Sequence, residues 1–177
     1  MALLLPALYF LIIRVPYRLS RLEAYLNPWE DPQGSGFQII QSFLAFASGG
    51  VNGVGLGQST QKLFYLPSSH NDFILAVIGE ELGLVGIMMV IALYVVFFLC
   101  CIRMARKTDQ PFEKLLITSI TLLIILQTIF HMMVGTGLVP TKGLPLSFIS
   151  YGGSSIVVNL IAVGILMAVD RRKHRSG

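Results

Sequence analysis

Charged side chains are scarce in this sequence. Asp, Glu, Lys and Arg make up 12% of its 177 residues, whereas soluble domains carry about 25%. Hydrophobic residues make up 54% of the chain, and the mean hydropathy is +0.74. This composition excludes an ordinary soluble domain. It predicts an integral membrane protein, most of whose apolar surface faces lipid.

Cysteine is also rare, and the basic residues form no nucleic-acid-binding pattern. Cys100 and Cys101 are adjacent within an apolar run, where they cannot form a disulfide framework. The net charge is +4, but the basic residues stand in short runs beside apolar spans, without interleaved aromatic residues. Such runs set topology at the cytoplasmic side of a membrane. We therefore expect membrane lipid, and no nucleic acid, as a partner.

Long uncharged runs predict the fold class. Leu82 to Ile102 and Leu115 to Val134 each reach the length of about 20 residues that a helix needs to cross a bilayer. A last span falls between Leu144 and Val169. Residues 1–13 are apolar but shorter, and they lack the basic start and cleavage site of a signal peptide. The expected fold is all-α, a polytopic membrane helix bundle with a large extracytoplasmic loop.

The predicted organisation follows from these runs and from the charges between them. Its segments are a partial transmembrane helix (1–13), a large extracytoplasmic loop (14–71), a transmembrane helix (72–102), a cytoplasmic loop (103–114), a transmembrane helix (115–134), an extracytoplasmic loop (135–147), a transmembrane helix (148–169) and a cytoplasmic tail (170–177). The 103–114 loop and the tail are basic and share a face, which indicates the cytoplasm. Arg14, Arg18 and Arg21 lie on the opposite side and conflict with this rule.

The long loop contains a short helical pattern and a glycine-rich stretch. Between Phe37 and Gly50, one face carries Ile39, Ile40, Phe43, Phe46 and Ala47, and the other carries Gln38, Gln41 and Ser42. This spacing predicts an amphipathic helix that lies on the membrane surface or packs on the loop itself. Five glycines between residues 49 and 57 predict irregular backbone. They form no dinucleotide fingerprint, and a phosphate-cradling role stays open.

Three carboxylates stand where the long loop meets the second span. Asp72 is either a helix N-cap or a general base, because a helix N-terminus stabilises its ionised form while nearby lipid disfavours it. Glu80 and Glu81 lie about 12 to 13 Å further along a helix and form no tight pair with Asp72. Ionisable residues at membrane depth are functional candidates. Pairing with a loop arginine is the structural alternative for both glutamates.

Two further polar groups stand out. Lys142 is the one charge in the second extracytoplasmic loop, between prolines and glycines that predict a fixed turn. It contacts either a lipid headgroup or a substrate phosphate. His70 and Asp72 alone do not make a metal site, because two ligands are too few. His131, within a span, is expected to form a helix-to-helix hydrogen bond rather than a proton relay.

Three stretches together resemble one known family. "NPWEDPQGSGFQIIQS" (27–42), "GLGQSTQKLFYLPSSHNDFILAVIGEELG" (55–83) and "GLVPTKGLPLSFISYGGSS" (137–155) resemble the C-terminal half of the SEDS proteins (shape, elongation, division and sporulation), especially the division and sporulation members. The resemblance implies a ten-helix membrane fold, so that roughly six helices would precede this chain. It also implies polymerisation of lipid II beside a class B penicillin-binding protein and other membrane proteins of the division complex.

The same resemblance suggests roles for individual residues. Asp72 matches the essential family carboxylate and is the expected catalytic base, and Lys142 matches the family lysine. The expected substrate-binding residues are Lys142, His70, Glu80, Glu81 and Lys62. No cofactor is certain, although a divalent cation, Mg²⁺ or Mn²⁺, is possible. We expect the active site on the extracytoplasmic face of the bacterial cytoplasmic membrane.

Two other classes of function remain open from the sequence. A flippase for lipid-linked precursors would need polar groups near the bilayer midplane, and these spans offer Gln127, His131 and Asn159 as the larger ones. A non-catalytic scaffold of the division complex would tolerate the loss of both Asp72 and Lys142. A polymerase needs both, because diphosphate is a good leaving group that one base and one cation can serve.

Overall fold

The computed structural model describes residues 25–34, 36–59, 73–140 and 143–175. Four helices of more than two residues occur in this part of the chain: α1 (Phe37–Gly49), α2 (Ile74–Lys107), α3 (Pro111–Gly135) and α4 (Gly153–Arg175). No strand occurs among the described residues. The all-α prediction is therefore confirmed.

Three of these helices are long and apolar enough to cross a membrane. They are α2, α3 and residues Gly153–Arg171 of α4. Only 17%, 28% and 11% of their most apolar windows are buried, respectively. Because apolar side chains avoid water, such exposed surfaces must lie against lipid or other membrane helices. The chain is a multi-pass membrane protein.

Local sequence explains where the helices begin and end. Pro111 stands in the first turn of α3, where its missing N–H costs no hydrogen bond, and Glu113 complements the positive end of the helix dipole. Arg106 and Lys107 occupy the last turn of α2 and complement its negative end. The N-cap residue of α2 is Phe73, and its side chain forms no capping bond.

Helix α1 packs on the first turns of α2. Ala45, Phe73 and Ala76 form a buried cluster with Phe46 at its edge. The helices approach closely at two glycines, since a Cβ on Gly49 would lie 1.9 Å from the Gly79 carbonyl oxygen. Small residues at such a contact let two backbones meet.

The predicted polar face of α1 is wrong at Ser42. Ser42 is buried, whereas Phe43 and Ala47 of the predicted apolar face are exposed. The Ser42 hydroxyl donates to the Gly135 carbonyl oxygen at 2.6 Å, at the end of α3. A buried hydroxyl with a partner loses little free energy. The helix therefore lies with this face against the bundle.

The start of α2 and the end of α3 lie together. Gly135 is next to the Leu75 side chain, and Gly137 is next to Phe43 of α1. Tyr25 also reaches this place, where its hydroxyl donates to the Leu138 carbonyl oxygen at 3.0 Å. We call this the loop end of the bundle. The opposite end is held by a cluster of Cys101, Ala105, Ile117 and Leu166 from α2, α3 and α4.

Candidate functional site at the loop end of the bundle

Four of the six predicted site residues lie outside the described residues: Asp72, His70, Lys62 and Lys142. Glu80 and Glu81 lie in α2. The structure therefore describes the residues that flank these four positions in the sequence. Residue 72 is followed at once by the buried Phe73, and residue 142 is followed by Gly143. Both segments join the loop end of the bundle.

Helix α2 is broken at Gly83. Its backbone angles there are φ 65° and ψ −160°, a region that is accessible essentially to glycine alone. The break frees the amide groups of Leu84 and Val85 and the carbonyl groups of Glu80 and Glu81, because a regular helix would join them in i to i−4 bonds. Buried backbone groups need other partners.

The glycine-rich stretch after α1 supplies all four partners. Leu84 N donates to Gly50 O at 3.0 Å, and Val85 N donates to Val51 O at 3.3 Å. In return, Val54 N donates to Glu80 O at 2.9 Å, and Gly55 N donates to Glu81 O at 3.0 Å. The loop thus replaces the helix's own hydrogen bonds. These two loop amides are already bonded, which argues against the phosphate-cradling alternative for them.

The close approach needs glycine on both sides of this contact. A Cβ on Gly83 would lie 2.4 Å from the backbone of Gly53 and Val51. A Cβ on Gly53, whose φ is 77°, would lie 2.2 Å from the Glu81 carbonyl oxygen. The irregular backbone predicted for the stretch 49–57 is found at residues 50–57, since Gly49 ends α1. Gly49 and Gly53 leave no room for a Cβ against α2, whereas Gly50 and Gly57 do.

Glu80 extends the same contact with its side chain. It is 1% exposed and accepts a hydrogen bond from the Ser59 hydroxyl, which is equally buried. The bond satisfies two buried polar groups, each of which would be costly to leave without a partner. Ser59 is the last described residue before the 60–72 segment, and Phe73 is the first after it. Both ends of the segment that carries Asp72 are therefore fixed on α2.

Glu81 is partly buried, and its carbonyl oxygen is one of the two acceptors in this contact. The two adjacent glutamates thus anchor the loop through different atoms, Glu80 through its carboxylate and backbone, Glu81 through its backbone. Direct substrate binding by either residue stays a prediction.

The second loop is held differently, by side chains from the spans. Gln127 Nε2 donates to the Pro145 carbonyl oxygen at 2.8 Å. His131 Nδ1 lies 2.8 Å from the Leu144 carbonyl oxygen, and since a carbonyl can only accept, Nδ1 carries the proton. The Tyr94 hydroxyl donates to the Ser147 carbonyl oxygen. This His131 bond goes to a loop, and the helix-to-helix bond predicted for the residue stays a prediction.

This loop enters the bundle. Gln127 lies eight residues before the end of α3, which corresponds to about 12 Å along the helix axis. Leu146, Ser147 and Ser150 are each 1% exposed or less. Irregular backbone at such depth is tolerated where protein surrounds it and satisfies its polar groups. We call residues 143–150 the re-entrant loop.

The described residues contain no group of three or more His, Cys, Asp or Glu side chains that could hold a metal ion. A divalent-cation site that includes residues outside this part of the chain stays a prediction.

Comparison with known proteins identifies the family of this chain. The model of the cell cycle protein family that includes FtsW, RodA and SpoVE matches residues 1–175. The chain belongs to this family. The SEDS resemblance stated from the three motifs is thereby confirmed.

Curated members of the family match nearly the whole chain. The probable peptidoglycan glycosyltransferase FtsW of Geobacter sulfurreducens (strain ATCC 51573 / DSM 12127 / PCA) is 55% identical over 95% of this chain and 45% of its own length. Stage V sporulation protein E of Bacillus subtilis (strain 168) is 47% identical over 91% of this chain and 44% of its own length. The chain thus spans about half the length of the curated relatives it matches.

A solved structure of a peptidoglycan synthase complex, described as structural coordination of polymerization and crosslinking, contains a similar chain. The TM-score is 0.67 at 28% identity, and the match covers 97% of this chain and 48% of that chain. The polytopic FtsW/RodA/SpoVE fold is therefore shown both by sequence and by structure.

Sequence reasoning missed several residues of the loop-end framework. Ser59 and Tyr94 carried no signal of their own, because a serine in a polar loop and a tyrosine in an apolar run are common. Gln127 was noted only as a polar group in a span. No sequence pattern shows which span residue bonds to which loop carbonyl, because the partners are 13 to 53 positions apart along the chain.

Proposed function

We propose that this protein polymerises lipid II into glycan strands during cell division, as a peptidoglycan glycosyltransferase. Relatives that match over 95% of the chain bear that activity in their names. The observation that carries the proposal is the loop end of the bundle. There, the segments that carry Asp72 and Lys142 both join a rigid framework, since Gly135 lies against Leu75 and Ser42 binds Gly135.

In the proposed reaction, the Asp72 carboxylate accepts the proton of the acceptor's GlcNAc 4-hydroxyl. The freed oxygen attacks the donor's MurNAc anomeric carbon and forms a β-glycosidic bond. The bond from that carbon to the diphosphate breaks with inversion, and undecaprenyl diphosphate leaves with the electron pair. Hydrolysis of an ordinary glycoside uses two carboxylates because its leaving oxygen must be protonated. A diphosphate needs no such acid.

Lys142 stabilises the charge that develops on the leaving diphosphate. A preorganised cation at a developing negative charge is among the largest contributions to catalysis. Lys62 and His70 stand in the same segment as Asp72 and are assigned to substrate binding. Glu80 positions that segment, which is supported by its hydrogen bond from Ser59.

Polymerisation is better supported than transport through these spans. Two of the larger polar side chains that a transport path would use, Gln127 and His131, bond to loop carbonyls instead. Gln127 Nε2 and His131 Nδ1 therefore serve the protein's own backbone. An assay in proteoliposomes that scores translocation separately from polymerisation tests this choice.

We place the reaction on the extracytoplasmic face of the bacterial cytoplasmic membrane, with the C-terminal tail in the cytoplasm. The support is the basic loop at 103–114 and the basic tail, both of which follow the positive-inside rule. A class B penicillin-binding protein and further division proteins are the proposed partners. The similar chain in a peptidoglycan synthase complex supports such an assembly.

The decisive experiment is Asp72→Asn in the full-length protein, assayed on purified lipid II. Loss of a general base lowers the rate by about 10²- to 10⁴-fold, so we expect polymer formation to fall by that factor. Asp109→Asn is the matched control, because Asp109 is exposed in the loop between α2 and α3, at the opposite end of the bundle. Normal polymer from a folded Asp72→Asn protein contradicts the proposed function.

A further inference from the structure

The re-entrant loop follows directly after Lys142 in the sequence. Three of its carbonyl groups, those of Leu144, Pro145 and Ser147, accept hydrogen bonds from side chains of two membrane-spanning helices. We propose that these donors, Tyr94, Gln127 and His131, are positioning residues that hold the loop in one conformation and so fix Lys142 relative to the substrate diphosphate. This inference rests on the proposed function.

Polar groups in a membrane are costly, and here three of them serve one loop. In a regular helix that continued through residues 144–150 into α4, the carbonyl groups of Leu144, Pro145 and Ser147 would be bonded within the helix and would need no donors from other helices. The chain instead places Tyr94, Gln127 and His131 inside apolar spans, where polar side chains are disfavoured and tend to be functional. All three are directed at one loop of a few residues. Together they supply the hydrogen bonds that this non-helical backbone lacks.

The loop is also rigid by its own contacts. Leu146 N donates to the Ser150 hydroxyl oxygen at 2.7 Å, which closes the loop on itself. Phe148 has φ 69°, an outlier for a bulky residue, and its ring packs edge-to-face on Phe97 at 6.1 Å. Strained conformations persist where the surroundings over-determine them, and they cluster at functional sites. The loop is thus held from several directions.

Lys142 precedes the first anchored residue, Leu144, by two positions in the sequence. One residue, Gly143, separates it from Leu144, whose carbonyl group is the first anchored one, so that covalent geometry keeps the Cα atoms of Lys142 and Leu144 within about 7 Å of each other. Fixing the loop therefore restricts where the Lys142 backbone can lie. A pre-positioned cation loses less entropy on meeting a diphosphate than a mobile one does.

The test compares lipid II kinetics of the full-length protein carrying Tyr94→Phe, Gln127→Met, or both. We expect kcat/KM for lipid II to fall about three- to tenfold, the effect of one or two lost hydrogen bonds. Both a higher KM and a lower kcat should contribute, because Lys142 binds the diphosphate and stabilises the charge that develops on it. Thr121→Val is the matched control, because Thr121 is buried in α3 away from the re-entrant loop, and its hydroxyl donates to the Ile117 carbonyl oxygen. It should leave kcat/KM unchanged.

A double-mutant cycle separates positioning from general stability. If the anchors act through Lys142, the combined Tyr94→Phe and Gln127→Met change should weaken the binding of undecaprenyl diphosphate in the parent protein but weaken it little further in a Lys142→Gln background, since coupled residues are not additive. His131→Gln retains a donor and should stay near the parent value, whereas His131→Leu should not. An equal loss of affinity in both backgrounds, or an unchanged affinity in the parent background, overturns the inference.

Binding measured without turnover keeps the inference apart from the proposed function. Undecaprenyl diphosphate is titrated into the Asp72→Asn protein with and without Tyr94→Phe, the mildest of the changes. Weaker binding with Tyr94→Phe supports positioning, and equal binding contradicts it. An Asp72→Asn protein that still polymerises lipid II contradicts the proposed function instead.

Discussion

Two loops join the same end of this bundle, and they are anchored by different chemistry. Residues 50–59 exchange backbone hydrogen bonds with the break in α2 at Gly83. The re-entrant loop receives side-chain donors from Tyr94, Gln127 and His131. The first anchor needs residues without side chains, and the second needs particular side chains. Adding a side chain should therefore damage the first anchor, whereas removing a side-chain donor should damage the second.

The largest effect is expected at the backbone exchange. Gly83→Ala places a Cβ at φ 65° and ψ −160°, 2.4 Å from the loop backbone. The strain alone costs about 1 to 3 kcal/mol, and separating the loop from α2 adds the loss of up to four hydrogen bonds. We expect a strongly lowered thermal midpoint in detergent and fast hydrogen exchange at the Leu84 and Val85 amides.

Gly164→Ala is the control for that change. Gly164 lies in α4, where an added methyl group would meet open space, and alanine favours a helix over glycine by about 1 kcal/mol. The substitution should leave the thermal midpoint unchanged or slightly raised. A Gly83→Ala protein as stable as Gly164→Ala would show that the contact between the first loop and α2 does not need a residue without a side chain.

A smaller effect is expected at the side-chain contact that closes the first loop. Ser59→Ala removes the hydroxyl that bonds to the buried Glu80 side chain, and a buried polar group that loses a partner costs about 1 to 3 kcal/mol. We expect a loss of this order in the free energy of unfolding. Glu80→Gln and the double variant complete a cycle, whose interaction energy measures the bond itself. Strict additivity would mean that the hydroxyl and carboxylate do not stabilise each other.

The smallest effect is expected where α1 links the two regions. Ser42→Ala removes the bond to the Gly135 carbonyl oxygen and should cost about 1 kcal/mol. Ser48→Ala is matched to it, because Ser48 lies on the same helix, is exposed, and bonds only to the Ala45 carbonyl oxygen in the described structure. Thermal unfolding of both variants compares them. A larger loss from Ser48→Ala would contradict the role of Ser42 at the loop end.

The membrane spans were predictable because transfer from water to lipid depends on composition summed over about 20 residues. Leu82 to Ile102 fell within α2, and Leu115 to Val134 fell within α3. The break at Gly83 was not predictable, because hydropathy carries no information on backbone angles. The depth of the re-entrant loop was missed for a related reason, since its hydrogen-bond donors lie on other helices.

The candidate site likewise contains residues that the sequence identified and partners that it did not. Asp72 and Lys142 were identified from family motifs, and their roles remain proposals. Glu80 was noted as a carboxylate at membrane depth, but its partner Ser59 lies 21 residues away in sequence. The predicted polar face of α1 failed at Ser42 because a hydroxyl is accommodated inside a bundle when a carbonyl is in reach.

Composition and motif order alone determined that this is an all-helical membrane protein of the FtsW/RodA/SpoVE family, since lipid selects apolar helices whatever their neighbours. Only the tertiary structure decided how the loops are held. Hydrogen bonds act over about 3 Å, so their partners are set by which backbone and side-chain atoms the packed helices bring together. Sequence separation does not reveal that proximity.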